Sequence, residues 1–146
     1  MNKASTVEIL VIEDDPNDQE LIVRVLKKHN MANQMILLKD GAEALDFLFP
    51  KNKERRGADH PKVILLDLKL PKVDGLEVLR RLKSDELTKK IPVVILTSSK
   101  EERDLSSAYE LGVNSYVTKP IRFEEFAKVV SDLGMYWILT NRPPED

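Results

Sequence analysis

Apolar and polar positions fall in alternating blocks along this chain. Five short apolar-rich runs, Val7–Ile12, Met35–Leu38, Lys62–Asp67, Ile91–Leu96 and Asn114–Val117, are the length of strands and predict a β-strand each. The first is continuously apolar at Ile9-Leu10-Val11-Ile12, the pattern of a strand covered on both faces. Between the runs, apolar residues recur at helical spacing: Leu21, Ile22, Val25 and Leu26; Ala44, Leu45 and Leu48; Leu76, Leu79 and Leu82; Phe123, Phe126, Ala127, Val130 and Leu133. A further helix is predicted over Glu101–Leu111, stopped by Gly112 in the position past the helix end that favours glycine. Asp15 before Pro16 reads as an N-cap followed by a first-turn proline. Asp74 before Gly75 is expected to cap the third helix in the same way. Lys27-Lys28 suits the negative end of the first helix. Pro50–Pro61, polar and bounded by prolines, reads as a surface loop, while the last helix leaves open a continuation through Trp137 into Leu139. Arg142–Asp146 cannot extend it.

Strands that alternate with helices predict an α/β chain with right-handed crossovers and a doubly wound, five-stranded parallel sheet. A length of 146 residues suits one domain, which buries roughly two-thirds of its unfolded surface. The core is expected over about 6–133, with a C-terminal helix extension and tail over 134–146. A formal charge of -2 gives no basic footprint for nucleic acid. Without cysteine there is no disulfide, thiolate nucleophile or cysteine-ligated zinc. No apolar stretch approaches the ~20 residues that cross a bilayer, and Met1–Thr6 contains no signal-peptide core. The expected location is the cytoplasm.

Ligands of such sheets bind beyond the carboxyl ends of the strands, and those ends carry the reactive residues of this chain. Glu13-Asp14-Asp15 follows the first run, Asp67 ends the third, Thr97-Ser98-Ser99 follows the fourth and Lys119-Pro120 follows the fifth. Asp14 and Asp67 could offer oxygen ligands to a hard divalent cation, with Glu13 contributing through water. Close carboxylates repel, so a cation would relieve them. Asp67 is the candidate nucleophile toward a phosphoryl group, forming an acyl phosphate. Lys119 would neutralise charge there, while the Thr97 hydroxyl and the Ser98 backbone N–H could donate to phosphoryl oxygens.

This ordered set resembles the receiver domains of two-component response regulators: an acidic pair after the first strand, a lone Asp after the third, Thr/Ser after the fourth and Lys-Pro after the fifth. The intervals of 30 residues from Asp67 to Thr97 and 22 from Thr97 to Lys119 are similar to that family as well. The resemblance implies a flavodoxin-like (βα)5 receiver fold with strand order 2-1-3-4-5. It implies Asp67 as the acceptor of a phosphoryl group from a histidine kinase. It further implies Mg2+, or Mn2+ in its place, held by Glu13, Asp14, Asp67 and the backbone carbonyl of Lys69. Lys119 would pair with the phosphoryl group, alongside Thr97 and Ser98, and the Lys119–Pro120 bond would be cis. Thr97 and Tyr116 match a switch pair that reshapes the face formed by the fourth helix, fifth strand and fifth helix.

A narrower resemblance lies in Leu66–Leu76, Leu111–Tyr116 and Leu133–Trp137, which look like the single-domain regulators associated with phytochrome-type sensor kinases. It implies such a kinase as partner and a homodimer built on the switch face and the C-terminal extension, with Tyr136 and Trp137 in the contact. Aromatic enrichment at interfaces agrees with that reading of Tyr136-Trp137, although the segment could also simply cap the core.

Plainer readings apply elsewhere. Asp15 is better explained as a cap than as a third ligand. His29 and His60 are isolated and read as surface residues. The basic run Lys51, Lys53, Arg55 and Arg56 is diluted by Glu54 and Asp59 and reads as a solvated loop. Two other functions compete with a non-enzymatic switch. A metal-dependent phosphohydrolase using an aspartyl phosphate would typically carry a second Asp two residues after the nucleophile, where this chain has Lys69. A phosphorylation-independent dimerisation module would have no need of the complete acidic set and Lys119.

Overall fold

The computed structural model describes residues 8–28, 35–51, 60–97, 102–113, 115–120 and 122–132. His29, Arg55, Arg56, Ser98, Tyr136, Trp137 and most of the Pro50–Pro61 segment lie outside these residues. So does any continuation of the last helix beyond Asp132.

Five strands and five helices alternate in the order β1 (Ile9–Ile12), α1 (Pro16–Lys28), β2 (Met35–Leu38), α2 (Gly41–Leu48), β3 (Val63–Asp67), α3 (Gly75–Lys83), β4 (Val93–Thr97), α4 (Glu102–Glu110), β5 (Ser115–Thr118) and α5 (Phe123–Asp132). All strand pairs are parallel, and the sheet order is β2-β1-β3-β4-β5, as expected. The chain leaves β1 for β2 on one side and then reverses to β3 on the other. The carboxyl ends of β1 and β3 therefore flank the reversal point, where a crevice forms in sheets of this kind.

Every residue of β1, β3 and β4 is buried, and alternate residues feed two separate cores. Ile9, Val11, Val63, Leu65, Val94 and Leu96 pack under α1 and α5 through Ile22, Leu26 and Phe126. Leu10, Ile12, Ile64, Leu66, Val93 and Ile95 pack under the other three helices through Leu48, Val78, Leu79, Leu82 and Ala108. The period-2 geometry of a strand converts one continuous apolar run into two cores.

Several element ends differ from the sequence expectation. Ile91-Pro92 precedes β4, because the Ile91 N–H turns back to the Thr88 carbonyl at 3.0 Å and Pro92 has no N–H to give the ladder. Asp15 caps α1 as expected, its Oδ1 accepting from the N–H of Asn17 at 2.8 Å and of Asp18 at 3.3 Å. Asp74 holds the capping position of α3 in extended backbone, but its side chain makes no capping hydrogen bond. There the Asp74 carbonyl alone receives Glu77 and Val78. His60 is half-buried. Past α4, Gly112 takes φ 105° and closes a Schellman turn: its N–H reaches the Tyr109 carbonyl at 3.0 Å, and the Val113 N–H reaches Ala108 at 3.2 Å.

Candidate functional site

β1 ends at Ile12, so the next residue, Glu13, emerges at the carboxyl edge, still tied to the sheet by its N–H to the Leu38 carbonyl at 2.9 Å. Its side chain is wholly buried, while Asp14 beside it is exposed. Asp67 is the last residue of β3 and is 5% exposed. Glu13, Asp14 and Asp67 each offer a carboxylate oxygen, all within 4.8 Å of one another. Three hard oxygen donors in one place are the ligand chemistry of Mg2+ or Mn2+ rather than of a soft metal.

Lys119 lies just past β5, on the other side of β4 from Asp67, and its backbone N–H is anchored to the Thr97 carbonyl at 2.9 Å. Its ammonium reaches Glu13 Oε1 at 2.6 Å, Asp67 Oδ2 at 2.8 Å and Asp18 Oδ2 at 3.1 Å. Lys119–Pro120 is a cis peptide bond. The other Asp67 oxygen, Oδ1, accepts from the Lys69 backbone N–H at 3.1 Å, which fixes the carboxylate plane.

Electrostatics follow from burial. Removal from water pushes the Glu13 carboxyl up to about 7; its bonds from Lys119 and from the Asp15 N–H pull the other way, and the charge of Asp67 adds to the rise. For Lys119, burial alone would lower its pKa, but hydrogen bonds to Asp67 and Glu13 outweigh it and hold the ammonium charged. Three carboxylates thus contact one ammonium, and a fourth, that of Asp14, lies beside two of them, an excess of negative charge that a divalent cation would relieve.

Thr97 ends β4 and is buried, 4% exposed, beside the strand that ends in Asp67. Tyr116 on β5 is 43% exposed, and its ring meets Tyr109 of α4 edge-on, with centroids 6.4 Å apart. Of the residues expected in the site, Glu13, Asp14, Asp67, Lys69, Thr97 and Lys119 gather at this one edge. Tyr116 stands off on the outer face, and Ser98, Tyr136 and Trp137 lie outside the described residues.

Two residues of the site were not singled out from the sequence. Asp18 contacts Lys119, and the Gln19 side chain donates to the Glu13 carbonyl. The available signal was spacing: Asp18 follows Asp14 by four residues and falls in the first turn of α1. An acidic residue in a first turn is so readily explained by the helix dipole that nothing pointed further.

Comparison with known proteins agrees with this geometry. Residues 9–131 match the response regulator receiver domain. The chain is 42% identical over 136 residues to the probable methanogenesis regulatory protein FilR2 of Methanothrix harundinacea, covering 93% of this chain and 86% of that protein. The structure of the bacteriophytochrome response regulator AtBRR superposes with a TM-score of 0.80 at 50% identity, covering 94% of this chain and 99% of that one. The Mn2+-bound form of response regulator Rcp1 superposes with a TM-score of 0.71 at 38% identity, covering 95% and 99%. Receiver domains are signalling modules. With acidic residues at the ends of β1 and β3 joined by a lysine past β5, the chain belongs to the response regulator receiver-domain family.

Proposed function

We propose that this receiver domain is a phosphorylation-driven switch in which Asp67 accepts a phosphoryl group from the phosphohistidine of a sensor kinase. The observation that carries the reading is the setting of Asp67: one oxygen held by the Lys119 ammonium at 2.8 Å, the other by a backbone N–H, with Glu13 and Asp14 alongside. A carboxylate oxygen of Asp67 attacks phosphorus, the bond to the histidine nitrogen breaks, and an aspartyl phosphate results. Glu13, Asp14, Asp67 and the Lys69 carbonyl would hold Mg2+ or Mn2+, which offsets the charge of the transferring group. The Mn2+-bound form of Rcp1, similar over nearly the whole chain, supports that cofactor.

Lys119 pairs with the phosphoryl oxygens, and Thr97 and Ser98 donate to them. Recruitment of the Thr97 hydroxyl draws Tyr116 inward from its exposed position against Tyr109, changing the face of α4, β5 and α5. We assign residues 1–146 to a single receiver domain that signals by protein contact. Tyr136 and Trp137 form part of a homodimer surface, and the kinase is of phytochrome type. The likeness to AtBRR, a bacteriophytochrome response regulator, favours that kinase.

The test is labelling. Incubated with acetyl phosphate and Mg2+, the wild-type chain is expected to take up one acid-stable, hydroxylamine-labile phosphoryl group, and Asp67→Asn none. Undiminished labelling of the Asp67→Asn chain would sink the assignment.

A further inference from the structure

The Lys119 ammonium has three N–H donors and three carboxylates around it. Two of these, Glu13 and Asp67, belong to the oxygen trio suited to a cation. The third, Asp18, does not. A cation drawn to the trio competes with Lys119 for Glu13 and Asp67, and a phosphoryl group joined to Asp67 competes for it again. Asp18 is the partner that neither event occupies.

Its position suits an independent anchor. Asp18 comes from the first turn of α1, not from a strand end, and its backbone N–H is fixed to the Asp15 cap at 3.3 Å. Its side chain is 29% exposed, against 0% for Glu13 and 8% for Asp67, so it meets Lys119 from the solvent rim of the site. A lysine stem is long and flexible, and an ammonium stripped of two partners has many places to go.

We propose that Asp18 is a positioning residue: it holds the Lys119 ammonium over Asp67 while Glu13 and Asp67 exchange partners, keeping it within reach of the incoming phosphoryl group. The proposal rests on the receiver reading and deepens it by adding a residue to the site. The competing explanation, a carboxylate that merely complements the helix dipole, acts on stability and takes no notice of Lys119.

The experiment is a double-mutant cycle in the full chain, timing acetyl phosphate labelling with Mg2+. Asp18→Ala is expected to slow labelling about tenfold, within the range of coupling between contacting charged groups. Asp18→Asn, which keeps an acceptor oxygen, is expected to restore most of the rate. In a Lys119→Ala background, Asp18→Ala is expected to change nothing further. If that background labels too slowly to time, Mg2+-dependent beryllofluoride affinity in the same four chains gives the cycle. An equal loss with and without Lys119, or an Asp18→Ala chain that labels at the wild-type rate or faster, overturns the proposal. Failure of the underlying reading looks different: the wild type takes no label, or Asp67→Asn labels as well as it does, and the positioning role falls with it.

Discussion

Glu13 is held in surroundings that oppose its own charge. The side chain is fully buried and its carboxyl is pushed up to about 7, burial being the largest cause. A carboxyl whose folded pKa lies above its unfolded value holds its proton more tightly in the folded state. Its contribution to stability is therefore complete below the ordinary carboxylate range and is lost as pH rises through about 7. Glu13→Gln removes that titration. In chelator, the melting temperature of Glu13→Gln relative to wild type is expected to be several degrees more favourable at pH 8 than at pH 6. A difference that does not change with pH would show that Glu13 does not titrate in this interval. The sequence displayed Glu13 as a possible ligand because it follows an apolar run, but only its folded burial reveals the cost of its charge. Asp15 was legible for the opposite reason, since an N-cap is a local pattern completed within four residues. The Asp18 contact to Lys119 spans 101 residues, and no local pattern carries it.

At the scale of elements, strands were more legible than their junctions. Apolar runs located all five strands. The start of β4, however, is set by a turn that the pattern does not display. In it, Asp85 Oδ1 accepts from the N–H of Leu87 and of Thr88, and the buried Thr88 hydroxyl donates to the Leu82 carbonyl at 2.7 Å. The junction that matters for the site is the one from β3 to α3. Gly75 begins α3, and its N–H bonds to the Leu68 carbonyl at 3.0 Å. A Cβ placed there would lie 2.3 Å from the Asp67 carbonyl oxygen and 2.6 Å from the Leu68 Cα. Both are backbone atoms that cannot swing aside, so a methyl group must displace either the helix or the strand end that carries Asp67. Gly75→Ala is expected to cost about 1–3 kcal/mol in denaturant unfolding and to slow labelling of Asp67 as well. Wild-type stability and labelling together in that variant would mean the junction gives way freely. Gly75 reads in the sequence as an ordinary glycine after Asp74; its tight fit against β3 is a tertiary fact.

For the molecule as a whole, the sheet does two jobs with one pattern. Its faces bury two cores, and its carboxyl edge collects charges that neither core could hold. The site's location was legible from the polar residues at the strand ends, whereas the strand order came only with the family resemblance; the observed sheet, which reverses direction beside β1, brings the ends of β1 and β3 next to each other. What the fold adds is the concentration of negative charge: Glu13, Asp18 and Asp67 around Lys119 with Asp14 next to Glu13 and Asp67, in a chain whose formal charge is only -2. Among the described residues, no helix is long and apolar enough to cross a membrane. An unfolded chain scatters these carboxylates and binds a divalent cation poorly, so a cation that binds the folded edge stabilises it by mass action. At a hundredfold excess over the dissociation constant the gain is about 2.7 kcal/mol, equivalent to a rise in melting temperature of several degrees for a domain of this size. Millimolar Mg2+ or Mn2+ is expected to raise the melting temperature of the wild-type chain, while Na+ at equal ionic strength leaves it unchanged. Asp14→Asn, an exposed change with little cost to the fold, is expected to remove most of the rise. If Na+ gave the same rise, the effect would be screening of the carboxylates and not a bound ion. If Asp14→Asn kept the full rise, the ion would sit elsewhere on the surface and the trio would not be its site.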